Sequence, residues 1–142
     1  MFEYVLNQKG NKFYSLNEDI IIEAEKEMGI IFPEELRSFY IQIGYGFLNT
    51  KRDNFNRIMD PYSVCEFRFR TGQFANIFEL DIYESYEKDK LVFFEICEGV
   101  YLSIGFTKNN NGKIYYGKEE IAINLREFLK RYQEDENYFD EN

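Results

Sequence analysis

Residues 31–47, IFPEELRSFYIQIGYGF, leave the backbone few options. Pro33 suits the first position of a helix, where its missing N–H is no loss. Glu34 and Glu35 then fall in the first turn, against the positive end of the helix dipole. Leu36, Phe39, Tyr40 and Ile43 recur at i, i+3, i+4 and i+7, a stripe that has to be buried, and Gly44 follows where a left-handed cap belongs. Tyr45-Gly46-Phe47 then predicts a tight glycine turn carrying two rings that need packing.

The segments on either side can be read from this helix. Ser15 and Glu18 have capping-box spacing, with Ser15 as N-cap and Glu18 at N3, although Asn17 could cap instead. Leu16, Ile20, Ala24 and Met28 follow at steps of four, Ile21 widens the stripe, and Gly29 stops it. Only residues 30–32 separate the two helices, so they should pack as an αα-hairpin. Upstream, residues 1–14 fit either a short helix with a turn or an edge strand.

Downstream, residues 49–71 form the one locally basic stretch, with Lys51, Arg52, Arg57, Arg68 and Arg70. Residues 55–59 read as a strand stopped by Asp60-Pro61, and residues 61–70 fit alternation as well as a short helix. Residues 72–90 keep neither a helical nor a strand period and read as a loop or irregular helix. Leu91 to Cys97 is an apolar run of strand length, Glu98-Gly99 is a turn pair, and Val100, Leu102, Ile104 and Phe106 share one face of a returning strand. Tyr101, Ser103 and Gly105 on the opposite face suit an exposed or ligand-facing side. Asn111-Gly112 supplies a second turn before a strand at 113–116. A closing helix is expected from about Glu119, with Ile121, Leu125, Phe128, Leu129 and Tyr132 buried. Residues 134–142 are acidic, without cap or period, and predict fraying.

The order "apolar-Pro, acidic pair, Leu-x-x-Phe-Tyr, Gly-rich turn", preceded by a helix ending in Met28-Gly29, resembles the SUKH superfamily. That group joins the cell-wall-regulator-like domains of fungi to many bacterial immunity proteins. The aromatic hairpin, then NGKIYYG (111–117) and IAINLREFLKRY (121–132), resemble in order the family's closing strand and C-terminal helix. The resemblance spans roughly residues 15 to 132, and it implies a helix after Pro61. It rests on fold-forming residues and implies shape more than chemistry.

The totals narrow the function. The chain has 142 residues, enough for one domain, with 17 Lys and Arg against 26 Asp and Glu, a formal charge of −9. Such a field repels nucleic acid and anionic membrane and attracts basic partners. There is no histidine. The Ser-His and Cys-His nucleophile pairs, His-bearing metal sites and the usual near-neutral base are therefore missing. No P-loop or dinucleotide fingerprint is present, and no EF-hand spacing. Cys65 and Cys97 read as small buried fillers in a reduced, cytoplasmic protein, and the N-terminus lacks the pattern of a signal peptide. Glu95 with Glu98 could in principle pair for acid/base work on a sugar, but among 26 acidic residues chance pairs abound. With 15 Phe and 12 Tyr, the rings at Tyr45, Phe47, Tyr83, Tyr86, Tyr101, Tyr115 and Tyr116 exceed what one core needs and suit a binding surface.

The expectation is therefore an α+β domain over residues 1–133, followed by an acidic tail at 134–142. An antiparallel sheet of about four strands should carry two N-terminal helices and a C-terminal helix. No catalytic residue, metal or cofactor is expected. For an intracellular chain of this size the resemblance implies an immunity protein that neutralises a cognate toxin, often a nuclease. The charge implies a basic partner, met by the protein as a monomer or weak homodimer, with no nucleic acid and no membrane bound. Asp81, Glu84, Glu95, Glu98 and Tyr101 are the candidate contacts. Gly44, Tyr45, Gly46 and Phe47 are the candidate turn and groove for an alternative small-ligand sensor. Ahead of the sensor, the first alternative is a regulatory adaptor or scaffold resembling the cell-wall regulators.

Overall fold

The structure, a computed structural model, describes residues 2–49, 56–97 and 99–140. Among these, seven strands form one antiparallel sheet whose spatial order is the order of the chain. They are β1 (Lys12–Tyr14), β2 (Tyr45–Phe47), β3 (Arg57–Ile58), β4 (Lys90–Cys97), β5 (Val100–Gly105), β6 (Ile114–Tyr116) and β7 (Glu119–Ala122). Helices α1 (Glu18–Met28) and α2 (Glu34–Gln42) lie between β1 and β2, α3 (Pro61–Phe69) between β3 and β4, and α4 (Leu125–Glu134) after β7. Glu3–Asn7, Gly72–Phe74 and Phe78–Tyr86 are 3₁₀ segments. The class is α+β, with more strands than the hydrophobic pattern implies.

Most helix ends fall where the residues direct them. Asn17 caps α1, its Oδ1 accepting the Asp19 N–H at 2.9 Å, and Gly29 closes it in the left-handed conformation. The buried face of α1 is Ile21, Ala24 and Glu25, while Ile20 turns outward. Glu25 tolerates burial because it accepts the Phe32 N–H at 2.9 Å and faces Arg37 at 3.2 Å, which ties α1 to α2. Leu36, Phe39, Tyr40 and Ile43 are all buried as their spacing requires, with Pro33 at the N-cap of α2 one place before the first helical position. Asp60 caps α3 through the Ser63 N–H, with Pro61 in the first turn.

Two elements differ from expectation for non-local reasons. Tyr45-Gly46-Phe47 is strand β2, paired with β1 on one side and β3 on the other. Gly44 and Gly46 allow close approach here: a β-carbon on either would collide with the carbonyl oxygens of Tyr14 and Lys12 in β1. Glu119–Ala122 is strand β7, paired with β6 through Tyr116↔Glu119 and Ile114↔Ala122. The last helix therefore starts only at Leu125, behind the Asn124 cap.

The central strands are covered on both faces. In the β4–β5 pair, Phe94 lies opposite Leu102 and Glu95 opposite Tyr101, and register shifts accommodate Phe93 and Ile96. On the Phe94 face α4 packs with Phe128 and Tyr132, ring centroids at 5.2 and 5.4 Å. On the other face Phe67 of α3, Phe74 and Tyr83 surround Tyr101 at 4.8, 6.1 and 5.6 Å. The outward face expected for Tyr101 and Ser103 is thus a second buried layer, with Tyr101 only 5% exposed. Where composition predicted fraying, residues 135–140 fold back. The Tyr138 hydroxyl donates to the Ile121 carbonyl at 2.7 Å and Phe139 packs on Tyr116 at 5.3 Å, so the tail protects the β7 edge.

Candidate partner-binding face

The irregular stretch between α3 and β4 is built on a three-residue repeat. In Phe78–Tyr86, Leu80 and Tyr83 are buried and Tyr86 is half-buried, which is the spacing of a 3₁₀ helix with its eclipsed i, i+3 side chains. The residues between them point outward. Phe78 is 83% and Ile82 64% exposed, and Glu79, Asp81 and Glu84 are exposed beside them.

A 3₁₀ run this long has poor hydrogen-bond geometry of its own, so something else must hold it. The C-terminus of α3 does so. Arg70 ends that helix at φ 56° and sends its guanidinium across to the segment. Nη2 donates to Glu87 Oε1 at 2.6 Å and to the Leu80 carbonyl at 3.1 Å, Nη1 donates to Glu87 Oε2 at 3.3 Å, and the guanidinium lies 4.7 Å over the Phe67 ring. Arg68 Nη1 donates to the Glu87 carbonyl at 2.9 Å. Midway, the Tyr83 oxygen accepts the Tyr101 N–H at 3.0 Å. Burial pushes the Glu87 carboxyl above its usual value, against the opposing pull of its bond to Arg70.

Between this segment and the sheet lies a groove of about 610 Å³ whose walls include Phe74, Ile77 and Leu80 and whose charged lining is Arg57, Glu79 and Glu95. Its floor is part of a cross-strand row: Lys12, Phe47, Arg57, Glu95 and Tyr101 stand opposite one another across β1 to β5. Glu95, 9% exposed, faces Arg57 Nε at 3.3 Å, yet that Nε makes no hydrogen bond, so this contact is one of charge without alignment. Burial pushes the Tyr101 phenol upward, and the neighbouring Glu95 carboxylate, which accepts its hydrogen bond, adds to the rise.

Residues 15–136, most of both layers and every residue lining the groove, match the SMI1/KNR4 family (SUKH-1). The chain belongs to that family. It is 41% identical over 138 residues to immunity protein YxxD of Bacillus subtilis (strain 168), an alignment covering 97% of this chain and 94% of that protein. No solved structure matches it at a significant level.

The SUKH-1 domain unites some of the candidate contacts and separates others. Asp81 and Glu84 stand on the outer side of the 3₁₀ segment, while Glu95 and Tyr101 form the floor of the adjoining groove. Glu98, and with it the acid pair Glu95 and Glu98, falls outside the described residues. Gly44, Tyr45, Gly46 and Phe47 do not form the expected turn. They lead into and build β2, and Phe47 belongs to the cross-strand row. Phe78, Ile82, Glu79 and Arg57 join the site without having been singled out. The spacing of Leu80, Tyr83 and Tyr86 is the signal that would have exposed Phe78 and Ile82.

Proposed function

We propose that this chain is an immunity protein: a binding domain that neutralises a cognate toxin by covering it, and performs no chemistry itself. Kinship with immunity protein YxxD supports the class. The surface rests on one observation, that Phe78 and Ile82 stand exposed on a pinned segment among Glu79, Asp81 and Glu84. Large apolar side chains held out in water by a rigid base, with charge around them, are what a protein interface uses as anchors and rim. The acidic rim and the formal charge of −9 favour a basic partner, whose approach they would accelerate. Asp81, Glu84, Glu95 and Tyr101 contribute from the rim and floor. Nuclease toxins fit this description because their own substrate is a polyanion. On this reading the protein works in the cytoplasm as a single copy per toxin. No helix among the described residues is long and apolar enough to cross a membrane.

Co-expression tests the reading. Cells carrying the cognate toxin survive with the wild-type chain and die with the Phe78→Ser/Ile82→Ser variant, whose thermal unfolding stays within a few degrees of wild type. Association that is insensitive to salt would remove the electrostatic part of the proposal, and full protection by the double variant would remove the surface.

A further inference from the structure

The groove beside the 3₁₀ segment has the build of a socket for one extended basic side chain. Its walls at Phe74, Ile77 and Leu80 are apolar, its rim carries Glu79 and its floor carries the buried carboxylate of Glu95. Of the charged side chains lining it among the described residues, two are acidic and one basic, so its field favours a cation. A buried carboxylate beside a half-buried cation is normally locked by aligned N–H donors, yet Arg57 Nε stands 3.3 Å from Glu95 Oε1 without hydrogen bonding. With the Tyr101 hydroxyl taking one of its acceptor positions, the carboxylate still has room for a fork of two parallel N–H groups, which would satisfy it better than that Nε does.

The geometry points to an arginine of the partner as the occupant, with its methylene stem against Phe74 and Leu80 and its guanidinium on Glu95, while Glu79 meets it at the mouth. Arginine fits better than lysine because its flat head can lie between the Arg57 guanidinium and the groove wall and bond Glu95 through two donors, where an ammonium would act as a point charge. The inference rests on the reading of this face as the toxin contact. It adds what that reading lacks: a residue type on the partner and the place where it lands.

The test uses the whole protein and a blocked tripeptide, acetyl-Gly-Arg-Gly-amide, followed by amide chemical shifts. Saturable binding is expected with a dissociation constant on the order of 1 mM, with shifts gathered at Gln73, Leu80, Gly99 and Tyr101. Glu95→Gln should weaken it by about tenfold, since a charge-assisted fork becomes a neutral contact. Glu79→Gln, a surface change that leaves the Arg57 contact intact, should weaken it by about threefold and covers the case in which Glu95→Gln fails to fold. The inference is overturned by no saturation at about 50 mM, by shifts centred elsewhere, by equal binding of acetyl-Gly-Glu-Gly-amide, or by indifference to both substitutions. No toxin is present in this titration, so its failure removes the socket, whereas failure of the co-expression assay removes the immunity reading.

Discussion

The two faces of the central strands are covered in different ways. On the Phe94 face α4 packs Phe128 and Tyr132 edge-to-face with Phe94, and Tyr132 donates a buried hydrogen bond to Asn56. This side is closed by apolar contact. On the Tyr101 face the cover is a 3₁₀ segment fastened at Leu80, Tyr83 and Glu87 by Arg70, the Tyr101 N–H and Arg68. Pins fix a backbone without requiring every side chain to turn inward, which frees Phe78 and Ile82 for the surface. One face is therefore closed by apolar rings, and the other is held by polar pins that leave Phe78 and Ile82 exposed.

Perturbing each side separately would sharpen this contrast. Phe128→Ala removes a fully buried ring and should cost about 4 kcal/mol in denaturant unfolding, the largest effect expected, with the loss shared by the whole sheet. Arg70→Ala breaks a two-pronged, mostly buried pair and strands Glu87, at a cost of about 3 kcal/mol. Its signature should be local: hydrogen exchange should quicken over residues 78–87 while amides of α4 keep their protection. Arg70→Lys should recover only part of this, since an ammonium cannot hold Glu87 with a planar fork. Uniform loss of protection across both faces in Arg70→Ala would end the distinction between them. Phe78→Ala should leave stability within about 0.5 kcal/mol and weaken toxin binding by about 2 kcal/mol, a separation of effects that no residue of the α4 face should show.

The smallest effect concerns pH. The folded-state pKa of Glu87 is raised, so between its ordinary and raised values the folded chain holds a proton that the unfolded chain has released. Its contribution to stability is greatest below that window and declines as pH climbs through it. Unfolding of wild type and Glu87→Gln at a series of pH values should show the wild-type advantage shrinking upward through the window. An advantage that grew with pH would mean that the Arg70 pair outweighs burial. On α3 itself, burial and a hydrogen bond to Glu27 push the Cys65 thiol up to about 12, so it should resist alkylation at neutral pH until the protein unfolds.

How much of this could be read from residues alone depends on the range of the forces involved. The α2 stripe, the Gly29 stop and the β4–β5 hairpin are legible because their determinants lie within a turn or two of each other. Of the candidate contacts, Asp81 and Glu84 face solvent, and Glu95 and Tyr101 line one groove. Tyr101 was assigned to an open face because alternation along a single strand cannot reveal that α3 and the 3₁₀ cover lie over it. The 3₁₀ segment itself escaped because its spacing of three matches neither a helix nor a strand.

By itself, then, the chain of residues determined the class of fold, the acidic character and the positions of the main helices, since each follows from local spacing and summed charge. Tertiary structure decided the rest. It made Tyr45–Phe47 a strand because β1 needed to pass close to Gly44 and Gly46, and it made Glu119–Ala122 a strand because β6 offered hydrogen-bond partners. It also turned Phe78 and Ile82 outward, because Arg68, Arg70 and Tyr101 held the neighbouring residues in. Each of these outcomes depends on groups brought together from distant parts of the chain, and spacing along a sequence carries no record of such meetings.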